Sequence, residues 1–364
     1  MTAPGDPAAR RVFLAATGQN RGKTTASLGL IAGIMRTGHR LGFLKPVGQR
    51  YLVVDGTRAD EDAVLVREVF DLPDALNDMS PVTLPRHFTT DFILGRITDD
   101  LAGQVEHAFL RVAAGKDLVV IEGTGHAGVG AVVGISNASV AALLASKVII
   151  VSEGGVGRPI DEIVLNASLF EQHGVEVLGA LVNKVEMDSH ADLPEILRRG
   201  LAQHGIELIG CIPYSELLAN PSLELIVTHL EGELLAGEAT PGQTVGHVAI
   251  GAMQADHAMK ILRERTLLIT PGDREDMILA SLAARGHPVM GLILTGGFHP
   301  SGAVLRRLRD ASLFTYLVET DTYTTAQAAN AILVKTHPTD TDKIATIIEL
   351  VDGAIDTNAL LDRL

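Results

Sequence analysis

Ala16-Thr17-Gly18-Gln19-Asn20-Arg21-Gly22-Lys23-Thr24-Thr25 decides how the rest of the chain is read. It follows an apolar, β-branched run at residues 12–16. It precedes residues 25–36, where Leu28, Ala32 and Met35 recur at helical spacing and Gly38 reads as a helix stop. Strand, glycine-rich turn and helix, in that order, make a phosphate-binding loop. Gly18 and Gly22 let the backbone N–H groups of Gln19, Asn20 and Arg21 turn toward phosphate oxygens, and Lys23 supplies a mobile cation. Thr24 and Thr25 open the helix, and the Thr24 hydroxyl can join the shell of a Mg2+ ion. The segment therefore predicts binding of ATP with Mg2+. A strict G-x-x-x-x-G-K-[ST] pattern wants glycine at 17, where this chain has Thr17. The competing reading is a strand-to-helix turn with an incidental lysine.

Further apolar runs at residues 41–44, 118–121, 148–151, 177–182 and 208–212 are continuous rather than alternating. That marks strands buried on both faces, so the fold class is α/β with a parallel P-loop sheet. Residues 214–242, polar and rich in Glu and Leu, read as a helical connector, and strands resume at 248–250, 267–270, 292–295 and 314–318. A helix is predicted over 275–285, and a final amphipathic helix over 341–354 carries Ile344, Ile347, Ile348 and Val351 on one face. Two domains follow, a nucleotide-binding one at 11–214 and a smaller α/β one at 215–364.

Composition narrows the classes. Thirty basic against 44 acidic side chains leave a net charge of −14 with no dense cationic tract, which argues against nucleic acid as a partner. One cysteine, Cys211, allows no internal disulfide and suits a reducing, cytoplasmic setting. It lies inside the apolar run 208–212 and reads as a buried structural thiol. The first ten residues lack a signal-peptide pattern and read as a disordered lead-in. Residues 126–146 carry no charge, but three glycines there, with Ser136, Asn137 and Ser139, favour a loop and a buried helix over a membrane span.

In an open parallel sheet, ligands gather beyond the carboxyl ends of the strands. Lys45, after 41–44, is placed to offer a second cation to a γ-phosphate or to a carboxylate substrate, unless it is a solvated strand-end lysine. Glu122 closes a buried strand before Gly123-Thr124-Gly125 and needs a partner, which Mg2+ would be. Asp60, Glu61 and Asp62 either favour a helix dipole or provide one metal ligand, with Asp62 the choice. Asn183-Lys184 ends another strand, where the amide can meet a nucleobase edge or merely shape a turn. His126 reads as an ordinary loop histidine.

The phosphate loop, Lys45-Pro46, Glu122-Gly123-Thr124-Gly125 and Asn183-Lys184 together resemble dethiobiotin synthetases and the related cobyrinate amidating enzymes. The chain resembles still more the N-terminal, non-catalytic region of long bacterial phosphate acetyltransferases. That region shares the Thr-Gly-x-x-x-Gly spacing of residues 17–22 and is followed by a DRTGG domain, matched here by Asp273-Arg274 and Thr295-Gly296-Gly297 and extending to Thr320-Asp321-Thr322. The resemblance implies Mg2+ on Thr24, Asp62 and Glu122. It places phosphates and a carbamate on Lys23 and Lys45 as the catalytic lysines, adenine on Asn183, and a regulatory or homo-oligomerising role for the second domain. It ends where an acetyltransferase domain would begin, so acetyl transfer is not expected. Asp273-Arg274 reads equally as an ion-paired helix start, and Thr295-Gly296-Gly297 as a tight turn.

Three functions remain: a regulatory nucleotide-binding protein, which is the leading expectation; an ATP-dependent carboxylase or ligase; and a scaffold with a decayed site. Glutamine-dependent amidation lacks its nucleophile, since Cys211 is read as buried.

Overall fold

The computed structural model describes residues 9–85, 87–187, 192–240, 242–284, 288–332 and 334–364. The chain forms two compact units, one running to Tyr214 and including Thr346–Leu364, the other Ser215–Ala345. The expected lead-in lies mostly outside the described residues, as does the end of the helix expected over 275–285.

The first unit is an α/β domain. Its strands are β1 (Arg10–Ala16), β2 (Leu41–Leu44), β3 (Leu118–Glu122), β4 (Lys147–Glu153), β5 (Val177–Val185) and β6 (Leu208–Pro213). They form one sheet in the order β6-β5-β4-β1-β3-β2, and every pairing is parallel. The continuous apolar runs are explained by this topology, because β2 and β3 are wholly buried and the inner residues of β4 and β5 nearly so. The main helices are α1 (Lys23–Arg36), α2 (Glu61–Phe70), α3 (Leu101–Ala113), α4 (Asn137–Leu143), α5 (Gly157–Gln172) and α6 (Leu193–Ala202). Helix α1 begins two residues earlier than its apolar spacing predicts, because Gly22 caps it. Residues 126–146 form a loop with a short 3-10 turn and then α4. Among the described residues no helix is long and apolar enough to cross a membrane.

The second unit holds β7 (Glu233–Ala236), β8 (His247–Ile250), β9 (Thr266–Pro271), α7 (Glu275–Ala283), β10 (Val289–Thr295), α8 (Gly302–Asp310), β11 (Phe314–Leu317) and α9 (Thr322–Ala331). Its sheet runs β7-β11-β10-β9-β8, parallel except for β7, which pairs antiparallel with β11. The connector expected to be helical over 214–242 is only partly so. Two short helices, Glu216–Ala219 and Leu223–His229, are followed by β7. Its Glu-Leu-Leu-Ala sequence favours helix, but pairing with β11 buries Leu235 and Ala236, and that tertiary contact overrides propensity.

Helix α10 (Thr341–Asp352) and α11 (Thr357–Leu361) close the chain. The second domain was expected to include them, yet residues from Thr346 onward belong to the first unit. The apolar face of α10 meets α1 where α1 has no side chain. A β-carbon at Gly29 would lie 2.2 Å from Val351 Cβ, and one at Gly33 would lie 2.6 Å from Thr357 Oγ1. Arg10 Nη1 donates to the Leu361 carbonyl (2.9 Å) and Arg363 Nη1 to Glu207 Oε1 (3.1 Å), fixing the tail at the amino ends of β1 and β6. At the start of α10, in the second unit, the buried Lys343 ammonium donates to the Asn220 carbonyl (2.8 Å). Burial lowers its pKa from 10.5 to about 8 against the pull of Asp340.

Two outcomes are expected. Gly29→Ala gains helix propensity of up to about 1 kcal/mol but forces a buried clash costing about 1–3 kcal/mol, so urea midpoints fall. Val351→Ala added to it recovers part of the loss, and an unchanged midpoint in the single variant would refute the close contact. For Lys343, the folded pKa lies below the unfolded one, so the buried ammonium opposes folding in full below pH 8 and is relieved as pH rises toward 10.5. Measured against Lys343→Met, unfolding free energy of the second unit should rise by about 3 kcal/mol across that window. A flat difference would show that the group titrates normally.

Candidate nucleotide site

The loop joining β1 to α1 sits where the strand order reverses, since β1 is flanked by β3 and β4 while the chain passes first to β2. Gly22, at φ 92°, turns the chain left-handed and caps α1, and its carbonyl accepts from Ala26 N (2.9 Å). Lys23 is therefore the first helical residue, with the positive end of the helix dipole beside it. It is buried, and among the described residues its ammonium has no hydrogen bond or ion pair. Burial lowers its pKa to about 8, helped by the charge of Lys45 and opposed by Glu122, Asp62 and Asp60. Such a cation needs an anion.

Beside it lies a compact ionic cluster. Asp60, Glu61 and Asp62 divide their work, because Asp60 caps α2 by accepting from Asp62 N (3.0 Å), and this turns Asp62 toward the loop. The Thr24 hydroxyl lies 3.1 Å from Asp62 Oδ1 and 3.2 Å from Glu122 Oε1. Lys45 Nζ donates to Asp62 Oδ2 (2.6 Å), Glu122 Oε1 (3.0 Å) and the Gly123 carbonyl (3.4 Å). Lys45 is thus neither a solvated strand-end lysine nor a cation projecting alone into the cleft. Burial opposes its charge, but the two carboxylates outweigh that and hold its pKa well above the usual lysine range.

Glu122 is fully buried at the end of β3, and burial raises its pKa despite Lys45. Asp62 also pays for burial, yet Lys45 brings it below the ordinary value. Ser27, one turn along α1 from Lys23, is near enough to favour the charged Glu122. Even so, neither Ser27 Oγ nor Glu122 Oε2 reaches hydrogen-bond geometry with any partner among the described residues. That orphaned buried oxygen suits a metal. No group of three or more His, Cys, Asp or Glu side chains among the described residues is arranged to hold one alone. Two carboxylates and a hydroxyl, completed by phosphate oxygens and water, are instead the donor set of Mg2+.

The end of β5 supports the loop from beneath. Asn183 is buried and its Nδ2 donates to the Arg21 carbonyl (3.3 Å). Lys184 Nζ donates to the Asn20 carbonyl (3.0 Å) and to Glu153 Oε1 (2.7 Å), while the Glu153 carboxylate also pairs with Arg21. Arg21 extends toward Glu162 (3.7 Å) as well. Asn183, expected at an adenine edge, is here committed to the loop backbone, because the left-handed turn at Gly22 brings that backbone onto its amide. Gly18, Gln19, Asn20, Arg21, Gly22, Lys23, Thr24 and Thr25 form the continuous turn from β1 into α1. Asp62 and Glu122 converge on its Thr24, and Lys45 bonds to both carboxylates.

Sequence reasoning missed Ser27, although four residues from Lys23 on one helix put both on one face. It also missed Glu153, which ends β4 much as Glu122 ends β3. His126 is an exposed loop residue whose Nδ1 accepts from Gly128 N (3.2 Å). The Cys211 thiol is half-buried on β6, and burial raises its pKa, the opposite of an activated nucleophile.

In the second unit, Arg274 caps α7 and is bonded to Asp276 (2.8 and 2.9 Å) and to the Met253 carbonyl (3.0 Å), an ion-paired helix start. Thr295 and Thr322 share a hydroxyl bond of 2.8 Å, and Gly296 N donates to the Thr320 carbonyl (2.9 Å). Asp321 caps α9. The motif segments thus meet at the carboxyl ends of β9, β10 and β11.

A family model described as an AAA domain matches residues 10–222, and one described as a DRTGG domain matches residues 225–332. Phosphate acetyltransferase of Pseudomonas aeruginosa is 30% identical over 373 residues, and that of Nitrosomonas europaea 28% over 367. Each alignment takes in 96% of this chain and 51% of the relative, so the chain spans about half the length of these relatives. A chain of the MinC:MinD cell division protein complex of Aquifex aeolicus overlays 58% of this chain and 84% of its own length, at 15% identity and a TM-score of 0.37.

At Gly22 an added β-carbon would fall 1.8 Å from Asn183 Nδ2, at a backbone angle that side chains avoid. Gly22→Ala should weaken binding of a fluorescent ATP analogue by about 5- to 150-fold, the effect of about 1–3 kcal/mol of local strain. Unchanged affinity would mean that β5 does not set the loop's shape.

Proposed function

Because the chain belongs to the AAA-domain family and carries a DRTGG domain, we propose that it is a Mg-ATP-binding regulatory protein. Nucleotide occupancy of the first unit governs how the second unit pairs with another copy of the chain or with a partner protein. The observation that carries this reading is Lys23: a buried ammonium at a helix N-terminus with no hydrogen bond or ion pair among the described residues, and Thr24, Asp62 and Glu122 beside it. Those three residues would hold Mg2+, which would supply positive charge to neutralise phosphate oxygens. A site with one nucleotide and a second domain suits a switch, since an effector shifts an equilibrium by its differential affinity for two states.

An ATP-dependent carboxylase or ligase would use Lys45 to hold a substrate carboxylate or carbamate, and the carboxylates it holds here are the protein's own, Asp62 and Glu122. Two surface cavities of about 540 and 640 Å³ are lined by residues such as Asp100, His107 and Arg111, or Arg10, His39 and Lys116, outside the loop. The acetyl transfer named for the longer relatives is assigned to no residue of this chain. A cytoplasmic setting accords with the lone thiol.

The test compares wild type with Lys23→Met. ATP affinity should fall on the order of 30-fold in the variant, from loss of a buried charge-assisted contact. Sedimentation of the wild type alone should change with Mg-ATP. Slow or absent ADP release with ATP bound fits the switch. Turnover that requires bicarbonate and a diamine acceptor would replace it with the ligase reading, and an association state indifferent to ATP would sink the regulatory one.

A further inference from the structure

Lys45 is placed unusually for a lysine beside a phosphate loop. Its ammonium is buried and lies between the two carboxylates that the preceding reading gives to the metal, 2.6 Å from Asp62 Oδ2 and 3.0 Å from Glu122 Oε1. A Mg2+ ion binds oxygen at about 2.0–2.1 Å, so an ion using these oxygens would share their lone pairs with the ammonium at contact range. Thr24 Oγ1 touches the same Glu122 oxygen. The structure therefore has one cation position between Asp62 and Glu122, and a side chain already stands in it.

We infer that Lys45 is a resident counter-ion that excludes free divalent metal from this site, so that metal enters together with a phosphate. The inference rests on the nucleotide reading above and deepens it. Without an ion the carboxylates would be two like charges in a desolvated place, and Lys45 neutralises one of them. An incoming metal alone must displace or crowd the ammonium, and the neighbouring charge of Lys23 already acts against a second free cation there. A phosphate chain changes that, because it offers oxygens to both lysines at once. The ammonium, on its flexible four-carbon stem, moves from carboxylate to phosphate and leaves Asp62, Glu122 and Thr24 to the metal. Lys45 thus makes metal and phosphate binding mutually dependent.

The experiment is titration of Mn2+, followed by its paramagnetic signal, into wild type, Lys45→Met and Lys45→Met/Glu122→Gln, each with and without a non-hydrolysable ATP analogue. Wild type should bind Mn2+ at least tenfold more weakly without the analogue than with it. Lys45→Met should bind Mn2+ alone at least tenfold more tightly than wild type, and the double variant should lose that gain. If Lys45→Met lacks a fold in metal-free buffer, the same expectation reads as recovery of its circular dichroism on adding Mg2+, with none in the double variant. Equal Mn2+ affinity of wild type and Lys45→Met, or no recovery by Mg2+, overturns the inference. Failure of every protein to bind the analogue, with Lys45→Met still gaining Mn2+ affinity, upholds the counter-ion and removes the nucleotide reading instead.

Discussion

A buried carboxylate pair sets the terms for the first unit. Glu122 ends a central strand with no exposure to water, and Asp62 meets it from the first turn of α2, so two like charges share a desolvated place. Left alone, such a pair would neutralise itself by taking up a proton. The chain instead supplies Lys45 at the end of β2 and a hydroxyl at the start of α1, and it spends Asp60 on the helix cap that aims Asp62. Each of those residues lies at the junction of a strand or helix with its loop, where the parallel sheet sends all its carboxyl ends to one edge. Fold and electrostatics are in this sense one arrangement, because the sheet order decides which charges must coexist.

Much of this was legible from residue order. The Gly-Lys-Thr turn after an apolar run fixed the position of the loop, and continuous apolar strands announced a parallel sheet, which β1 to β6 form. Glu122 stood out because a charge cannot end a buried strand without a partner. The partner of Lys45 was not legible. Sequence places a lysine at a strand's end, but whether its ammonium faces phosphate or carboxylate depends on how α2 is capped, which is a matter of a few ångströms. Asn183 was legible only as a strand-end residue: the packing of Gly22 against it shows what its amide touches.

Longer-range assignments were harder for a different reason. The amphipathic stripe of α10 says that one face must be buried but not against which body, and the glycines at 29 and 33 that receive this region on α1 are silent in a hydrophobicity pattern. Strand β7 was hidden because Glu and Leu favour a helix when nothing pairs with them. In the second unit, threonine hydroxyls bond to one another at the ends of β10 and α9, where the first unit has carboxylates and lysines.

The phosphate loop is held by the protein itself, through Asn183, Lys184 and Glu153. A cradle that already has its curvature loses little conformational freedom when an anion settles in it, so affinity is not spent on ordering the chain. The same rigidity makes it undiscriminating at the phosphate end, because backbone N–H groups and a lysine greet pyrophosphate or any polyphosphate alike. Selection among nucleotides must then come from the groups that meet the base and ribose.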